Sequence, residues 1–338
     1  MKPGERNIKN LAQKLGLSKA TVSKALNGRS DVSPATRQKV MAAAKAMDYR
    51  PNRLARALAH GKSDMIGVIL SHVRNAFFLE IVGAVNAEAA SRGFRLTLDT
   101  SNGSVEVERE ILRDYIDRRV EGIILVPALA HRGPDSNIRQ AAGQVPLIIL
   151  DNELPRKEVP FVGTDFRLGA YLAAQHLIEL GHGCIGYLGG PAWAMGARQR
   201  LTGFKQAHTQ AGLTVNVRWM SHGEFDEEEA RERATQLLTM QPEVTAVVCA
   251  NDQIGQGTLD AVRALGREVP RDVSIVSFAA GAFFTTLDQK PAAIGRAAAG
   301  VLFELMGGGR PQPRTIIAPT LVVRNSTAAP RTGRARLR

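Results

Sequence analysis

Residues 16–40 read GLSKATVSKALNGRSDVSPATRQKV, and residues 47–58 follow as MDYRPNRLARAL. Just upstream, Ile8, Leu11, Ala12 and Leu15 fall at the i, i+3, i+4, i+7 spacing of a short amphipathic helix, with Asn7 placed to cap it and Gly16 to end it. A second helix can begin at Ser18 as N-cap and bury Val22, Ala25 and Leu26, which leaves Lys19, Ala20, Ser23, Lys24 and Asn27 facing outward before Gly28 stops it. Ser33-Pro34 then supplies an N-cap and an N1 proline for a third helix through Asp48, with Val40, Ala44 and Met47 facing inward. The first two helices are joined by a turn of very few residues containing Gly16, the spacing of a helix-turn-helix whose second helix can lie in a DNA major groove. Lys side chains there suit guanine acceptors, and the Ala20 methyl suits that of thymine.

The charge distribution points the same way. Residues 1–62 carry fourteen Lys and Arg against three acids, a net of +11, whereas all 338 residues sum to only +12. Residues 63–330 are near neutral, and the tail 331–338 adds four Arg. A small, very basic head on a near-neutral body implies that one module meets a polyanion. Residues 49–62 are basic too, and their Leu54, Ala55 and Leu58 make an apolar edge too small for a core. Such a helix is marginal alone. It makes sense folded against a symmetry mate with Leu58 pushed between base pairs in a minor groove.

The ordered combination A-x-x-x-G-x-S-x-x-T-V-S-x-x-L-N, V-S-x-x-T-R, Y-x-P-N and A-R-x-L resembles the DNA-binding head and hinge helix of the lactose/galactose repressor (LacI-type) family. The resemblance implies that Lys19, Ala20 and Lys24 read bases, that Thr21, Ser23 and Asn27 lie near the backbone beside Ser18, and that Leu58 is a minor-groove wedge flanked by Asn52, Arg53 and Arg56.

Beyond residue 63, apolar runs alternate with helix-length stripes. Candidate strands are Met65 to Leu70, Phe94 to Asp99, Gly122 to Val126, Pro146 to Leu150, Cys184 to Leu188, Val217 to Ser221, Val244 to Cys249 and Val273 to Phe278; candidate helices include Phe78 to Gly93, Leu168 to Gly181 and Gly255 to Gly266. The expected fold is α/β: two doubly wound parallel sheets in two lobes, with a ligand crevice outside the strands' C-terminal ends. This body is similar to the effector domain of the same family and to periplasmic sugar-binding proteins, through stretches such as VPLIILDN, IGYLGGP, RLTGF and AVVCANDQIGQG. The expected domains are a head at 1–50, a hinge helix at 51–62, an effector and dimerisation body at 63–330, and a basic disordered tail at 331–338. Within the body, lobe 1 is expected at 63–163 and 290–318, and lobe 2 at 164–289 and 319–330.

Polar groups at strand ends outline a carbohydrate site. Asn75 and Phe78 follow the first strand, Asp151 ends a strand at 150, Arg198 is expected in a loop before RLTGF, Asn251 follows Cys249, and Gln289 sits at a lobe crossing. Rings over a pyranose face, with Asp, Asn, Arg and Gln taking its hydroxyls, give such a site affinity and orientation. The resemblance places each of these at a ligand-contacting position and adds Phe225 as another aromatic. One departure stands out: where the family has an acidic residue and a longer loop, this chain reads Ala279-Ala280-Gly281-Ala282-Phe283-Phe284. A typical monosaccharide would lose a charge-assisted bond of about 1.5–3 kcal/mol there.

No phosphate loop, G-x-G-x-x-G, C-x-x-C, H-E-x-x-H or G-x-S-x-G is present, so nothing supports an enzyme, a cofactor or a metal. Cys184 and Cys249, each in an apolar run, suit reduced structural thiols, and no run approaches the eighteen apolar residues of a membrane span. The expectation is a cytoplasmic, homodimeric, sequence-specific repressor that binds a palindromic operator in double-stranded DNA and responds to a small carbohydrate effector. Two alternatives stay open: a regulator whose body only dimerises, and a carbohydrate-binding protein with an incidental basic head.

Overall fold

A computed structural model describes residues 7–26, 31–49, 63–72, 76–128, 136–154, 158–278 and 283–331. Asn27, Asn52, Arg53, Arg56, Leu58, Asn75, Ala279 and residues 332–338 of the tail lie outside them. The chain divides into two compact units, Met1–Asp64 and Met65–Arg338.

In the first unit, α1 (Ile8–Leu15), α2 (Lys19–Leu26) and α3 (Pro34–Ala46) form in the order their caps dictate. Asn7 accepts a hydrogen bond from the Asn10 amide, and Gly16 ends α1 in the left-handed region at φ 62°, where a Cβ would be strained. Ser18 Oγ accepts from the Thr21 amide and Ser33 Oγ from that of Thr36. Leu11, Ala12, Val22, Ala25, Val32, Val40, Ala44 and Met47 make the core, with Leu26 only partly covered. The third helix stops at Ala46 rather than Asp48, since Met47 is its C-cap and Asp48 turns to φ 46°.

The second unit begins with β1 (Met65–Leu70), α4 (Ala76–Ser91), β2 (Arg95–Thr100), α5 (Val105–Asp117), β3 (Gly122–Leu125), α6 (Ser136–Ala142), β4 (Leu147–Leu150) and β5 (Phe161–Thr164). It continues with α7 (Phe166–Glu179), β6 (Ile185–Gly189), α8 (Met195–Gln210), β7 (Met220–His222), α9 (Glu227–Met240), β8 (Ala246–Cys249), α10 (Asp252–Ala264), β9 (Ser274–Ser277) and β10 (Thr285–Asp288). It closes with α11 (Pro291–Met306), β11 (Arg314–Ile317) and β12 (Thr320–Val322). One sheet runs β11-β5-β4-β3-β1-β2, all parallel, and the other β12-β10-β9-β8-β6-β7, parallel except for β12 against β10.

Central strands such as Ile-Ile-Leu in β3 and Ala-Val-Val-Cys in β8 are buried along their whole length, as strands covered on both faces must be. α4 and α11 cover one face of the first sheet and α5 and α6 the other, while α7 and α8 oppose α9 and α10 across the second. The chain leaves the first sheet after Thr164, returns to its helices after Asp288, and passes from β11 to β12 between Ile317 and Thr320. The segment Val217 to Ser221 is not one strand: Val217–Trp219 is a 3-10 turn capped by Asn216, and the strand starts only at Met220.

Candidate functional site

On the head, Lys19, Ala20 and Lys24 are exposed along α2, and Thr21 and Ser23 are half-buried beside them. Lys24 Nζ lies 2.6 Å from Asp31 Oδ2, an exposed pair that a stronger anion can displace. Ser18 is committed to its cap, its Oγ also meeting Thr21 Oγ1 at 2.9 Å.

In the second unit, a cleft of about 1300 Å³ opens at the C-terminal ends of both sheets. Ser71 and His72 after β1, Asn102 after β2, and Asp151 and Asn152 after β4 line it from one sheet, joined by Phe77 and Phe78 at the start of α4. From the other come Trp193 and Ala194 after β6, Phe225 after β7, Asn251 after β8, Phe278 after β9, and Asp288 to Lys290 after β10. Phe78, Asp151, Phe225, Asn251 and Gln289 are thus brought together around one space.

Arg198 is not among them. It lies on α8 rather than in a loop, and it is exposed. The arginine that lines the cleft is Arg200, only 7% exposed. Its guanidinium lies 3.8 Å from the Phe166 ring centroid and 4.6 Å from that of Phe278, so aromatic rings pack against it. Small residues make the room: a Cβ on Gly169 would come within 2.7 Å of Phe278, and one on Gly196 within 3.1 Å of Phe166. On the opposite side, a Cβ on Gly190 would collide with Phe225, so the Gly189-Gly190 turn lets that ring approach.

Burial dominates the electrostatics. The Asp151 carboxyl is pushed up to about 6 by desolvation, with Arg200 acting in the other direction, and Asp151 itself sits at φ 63°. Burial lowers Arg200 to about 10, which still leaves it cationic at neutral pH. Its Nε is buried with no hydrogen-bond partner, and so is the Tyr187 hydroxyl, whose pKa desolvation raises. Asn251 lines the cleft and caps α10 through the Ile254 amide, while its side-chain nitrogen donates to Gln253 Oε1 at 3.5 Å. Asn152 donates to the Pro127 carbonyl at 3.0 Å.

Arg200, Phe166, Trp193 and Phe278 escaped the sequence reading. For Arg200 a signal existed, because it shares the i, i+3, i+4, i+7 register of Gly203, Phe204 and Ala207, all buried, whereas Arg198 lies off that face. Starting the helix at Met195 separates the two arginines. Among the described residues, no group of three or more His, Cys, Asp or Glu could hold a metal ion, and no helix is long and apolar enough to cross a membrane.

Known proteins share this arrangement. Residues 7–52 match the model of the bacterial regulatory proteins of the lacI family, and residues 174–327 match the periplasmic binding protein-like domain. The HTH-type transcriptional repressor PurR of Mannheimia succiniciproducens is 30% identical over 327 residues, 94% of this chain and 98% of that protein. The HTH-type transcriptional regulator MalR of Streptomyces coelicolor is 33% identical over 339 residues, covering 95% and 96% respectively. Among solved structures, the lac repressor dimer bound to operator and the anti-inducer ONPF aligns with a TM-score of 0.83 at 27% identity over 96% of this chain and 99% of that one. The CelR–cellobiose complex aligns with a TM-score of 0.71 at 30% identity over 95% and 99%. A helix-turn-helix head joined to a periplasmic-binding-protein-like body defines a class of DNA-binding transcriptional regulators. This chain belongs to the lacI family.

Proposed function

We propose that the protein is a cytoplasmic, homodimeric repressor that binds a palindromic operator and releases or tightens it in response to a small effector held between the two sheets. The observation that carries the effector reading is the cleft itself: an open space of about 1300 Å³ walled by rings and polar strand ends, with a buried arginine on its wall whose Nε has no hydrogen-bond partner. In this reading Phe78, Asp151, Phe225, Asn251 and Gln289 contact the effector together with Arg200, and Asn75 joins them from outside the described residues. Operator complexes and sugar complexes among the relatives support it, because the same two modules are joined in the same order.

On the DNA side, Lys19, Ala20 and Lys24 read base edges, Ser18, Thr21, Ser23 and Asn27 fix the helix on the backbone, and Leu58 wedges the minor groove beside Asn52, Arg53 and Arg56. Fluorescence anisotropy against the DNA upstream of the protein's own gene tests this. Deleting residues 1–62 is expected to abolish selective binding, and its survival would overturn the assignment. Leu58→Ala is expected to weaken specific binding more than non-specific binding, while Lys62→Ala mainly lowers the salt slope, by about one unit. Equal losses on both DNA classes in Leu58→Ala would remove the wedge.

A further inference from the structure

We propose that the protein carries a second ligand site, on the outer face of its first sheet, which takes a small organic phosphate in the groove between α5 and α6. The groove shares no lining residue with the cleft, so the site stands whether or not the cleft holds an effector.

The groove encloses about 250 Å³. α5 lends it Arg109, Leu112, Arg113, Ile116 and Asp117, and facing them are Asn137, Gln140 and Ala141 of α6 with Gln144 just beyond. Leu112 and Ala141 are buried and Ile116 partly so, which gives the groove an apolar floor. Steps of four residues set Arg109, Arg113 and Asp117 in one row along the α5 wall.

The two arginines distinguish this groove from an ordinary solvated seam between helices. Arg109 is half-buried, and its Nε is shielded from solvent without meeting an acceptor. Arg113, one turn on, is exposed. Among the described residues no carboxylate lies within 4.0 Å of either, although the same helix pairs Arg118 with Asp114 at 2.9 Å. Glu106 reaches Arg109 only through its field, since its own carboxylate accepts from Ser104 Oγ at 3.1 Å. Like charges four residues apart on a helix repel, and an unmet donor is a cost. An anion seated between the two guanidiniums relieves the first and can supply acceptors for the second.

A phosphate monoester suits this spacing better than a carboxylate. It carries about 1.5 to 2 negative charges and three acceptor oxygens, enough to bridge two guanidiniums a turn apart, whereas the two oxygens of a carboxylate are used up by one fork. Asp117, at the far end of the row, repels the phosphate and so orients the molecule, with a hydroxyl or amine donor turned towards that carboxylate. The opposite wall serves the rest of the ligand. Among the described residues the Asn137 and Gln140 side chains make no hydrogen bond, and Gln144 donates to the Gln140 carbonyl at 3.2 Å while keeping its own oxygen. The volume lies just below the roughly 300 Å³ at which metabolite pockets begin, which suits a small ester and is too roomy for a bare ion.

Calorimetry on the full-length protein tests the site with glycerol 3-phosphate, glucose 6-phosphate and AMP, each beside its dephosphorylated parent and beside inorganic phosphate. At least one ester is expected to bind about tenfold more tightly than both its parent and inorganic phosphate, the gain of one charge-assisted bond or more. Arg109→Gln and Arg113→Gln are each expected to weaken that ester by about tenfold, and Arg113→Gln, at an exposed position, should do so with the melting temperature of the free protein unchanged. Esters that bind no better than their parents would overturn the site, and so would inorganic phosphate that matches them. An ester whose affinity falls with Lys24→Gln on the head or Arg200→Gln in the cleft, but not with either α5 variant, is bound elsewhere and would overturn the groove while leaving head and cleft as described.

Discussion

Glu108 stands on the first turn of α5 with 3% exposure, its Oε2 accepting from the Ala128 amide at 2.6 Å. Burial pushes its carboxyl from the ordinary 4.5 up to about 7, and that single amide bond offsets only part of the desolvation. The folded state therefore holds the proton more tightly than the unfolded chain. Below pH 4.5 both states are protonated and nothing is lost; between 4.5 and 7 stability falls as the unfolded chain ionises first; above 7 the full penalty applies, up to about 3 kcal/mol. Glu108→Gln keeps a carbonyl oxygen for Ala128 and removes the charge. Urea unfolding at pH 8 is expected to show it about 1–3 kcal/mol more stable than the parent, with little difference at pH 4.5. A gain of equal size at both pH values would mean that ionisation is not the cause. Residues of this kind are poorly legible in a sequence, where Glu108 looks like any acid in a helix's first turn. Arg198 and Arg200 show the same limit, because two residues of helix phase separate an exposed arginine from the one that lines the cleft.

Elements were easier to read than residues, for reasons of period and length. The three head helices announce themselves through their caps and stripes, and seven of the eight apolar runs coincide with strands, the run from Val217 overlapping its strand only at Met220 and Ser221. The strands that escaped are short or polar: β5 is Phe-Val-Gly-Thr, β11 is Arg-Thr-Ile-Ile, β12 only three residues, and β10 reads Thr-Thr-Leu-Asp. Edges and crossing strands need no continuous apolar run, so they leave little signal. Packing between helices also hides in small residues. Gly203 lets α8 close on α7, and a Cβ there would collide with the Arg167 carbonyl. Gly203→Ala should gain up to about 1 kcal/mol from helix propensity, yet backbone cannot yield as a side-chain tip can. A net loss of about 1–3 kcal/mol is expected in chemical denaturation, together with weaker effector binding because α8 carries Arg200. A stabilised protein would show that the two helices slide apart at no cost.

At the scale of the whole molecule, the charge concentrated in residues 1–62 and the cleft beyond Met65 belong to units that each own a core. Among the described residues, the head's core is eight buried side chains, which supports only marginal stability at that size, whereas four clusters sustain the body. Because each unit buries its own apolar surface, calorimetry should resolve two unfolding transitions, the head melting first. Ligands that bind one unit should move only that unit's transition. An effector at one hundred times its dissociation constant adds about 2.7 kcal/mol to the body, several degrees for a domain of this length, and leaves the lower transition in place. Operator DNA should do the reverse, and its shift should shrink with salt as phosphate contacts are screened. Coupling between the two sites then appears only when both ligands are present, as a change in the lower transition that depends on effector. A single transition moved by either ligand alone would mean that head and body fold as one unit, and the effector would then be acting through the stability of the head.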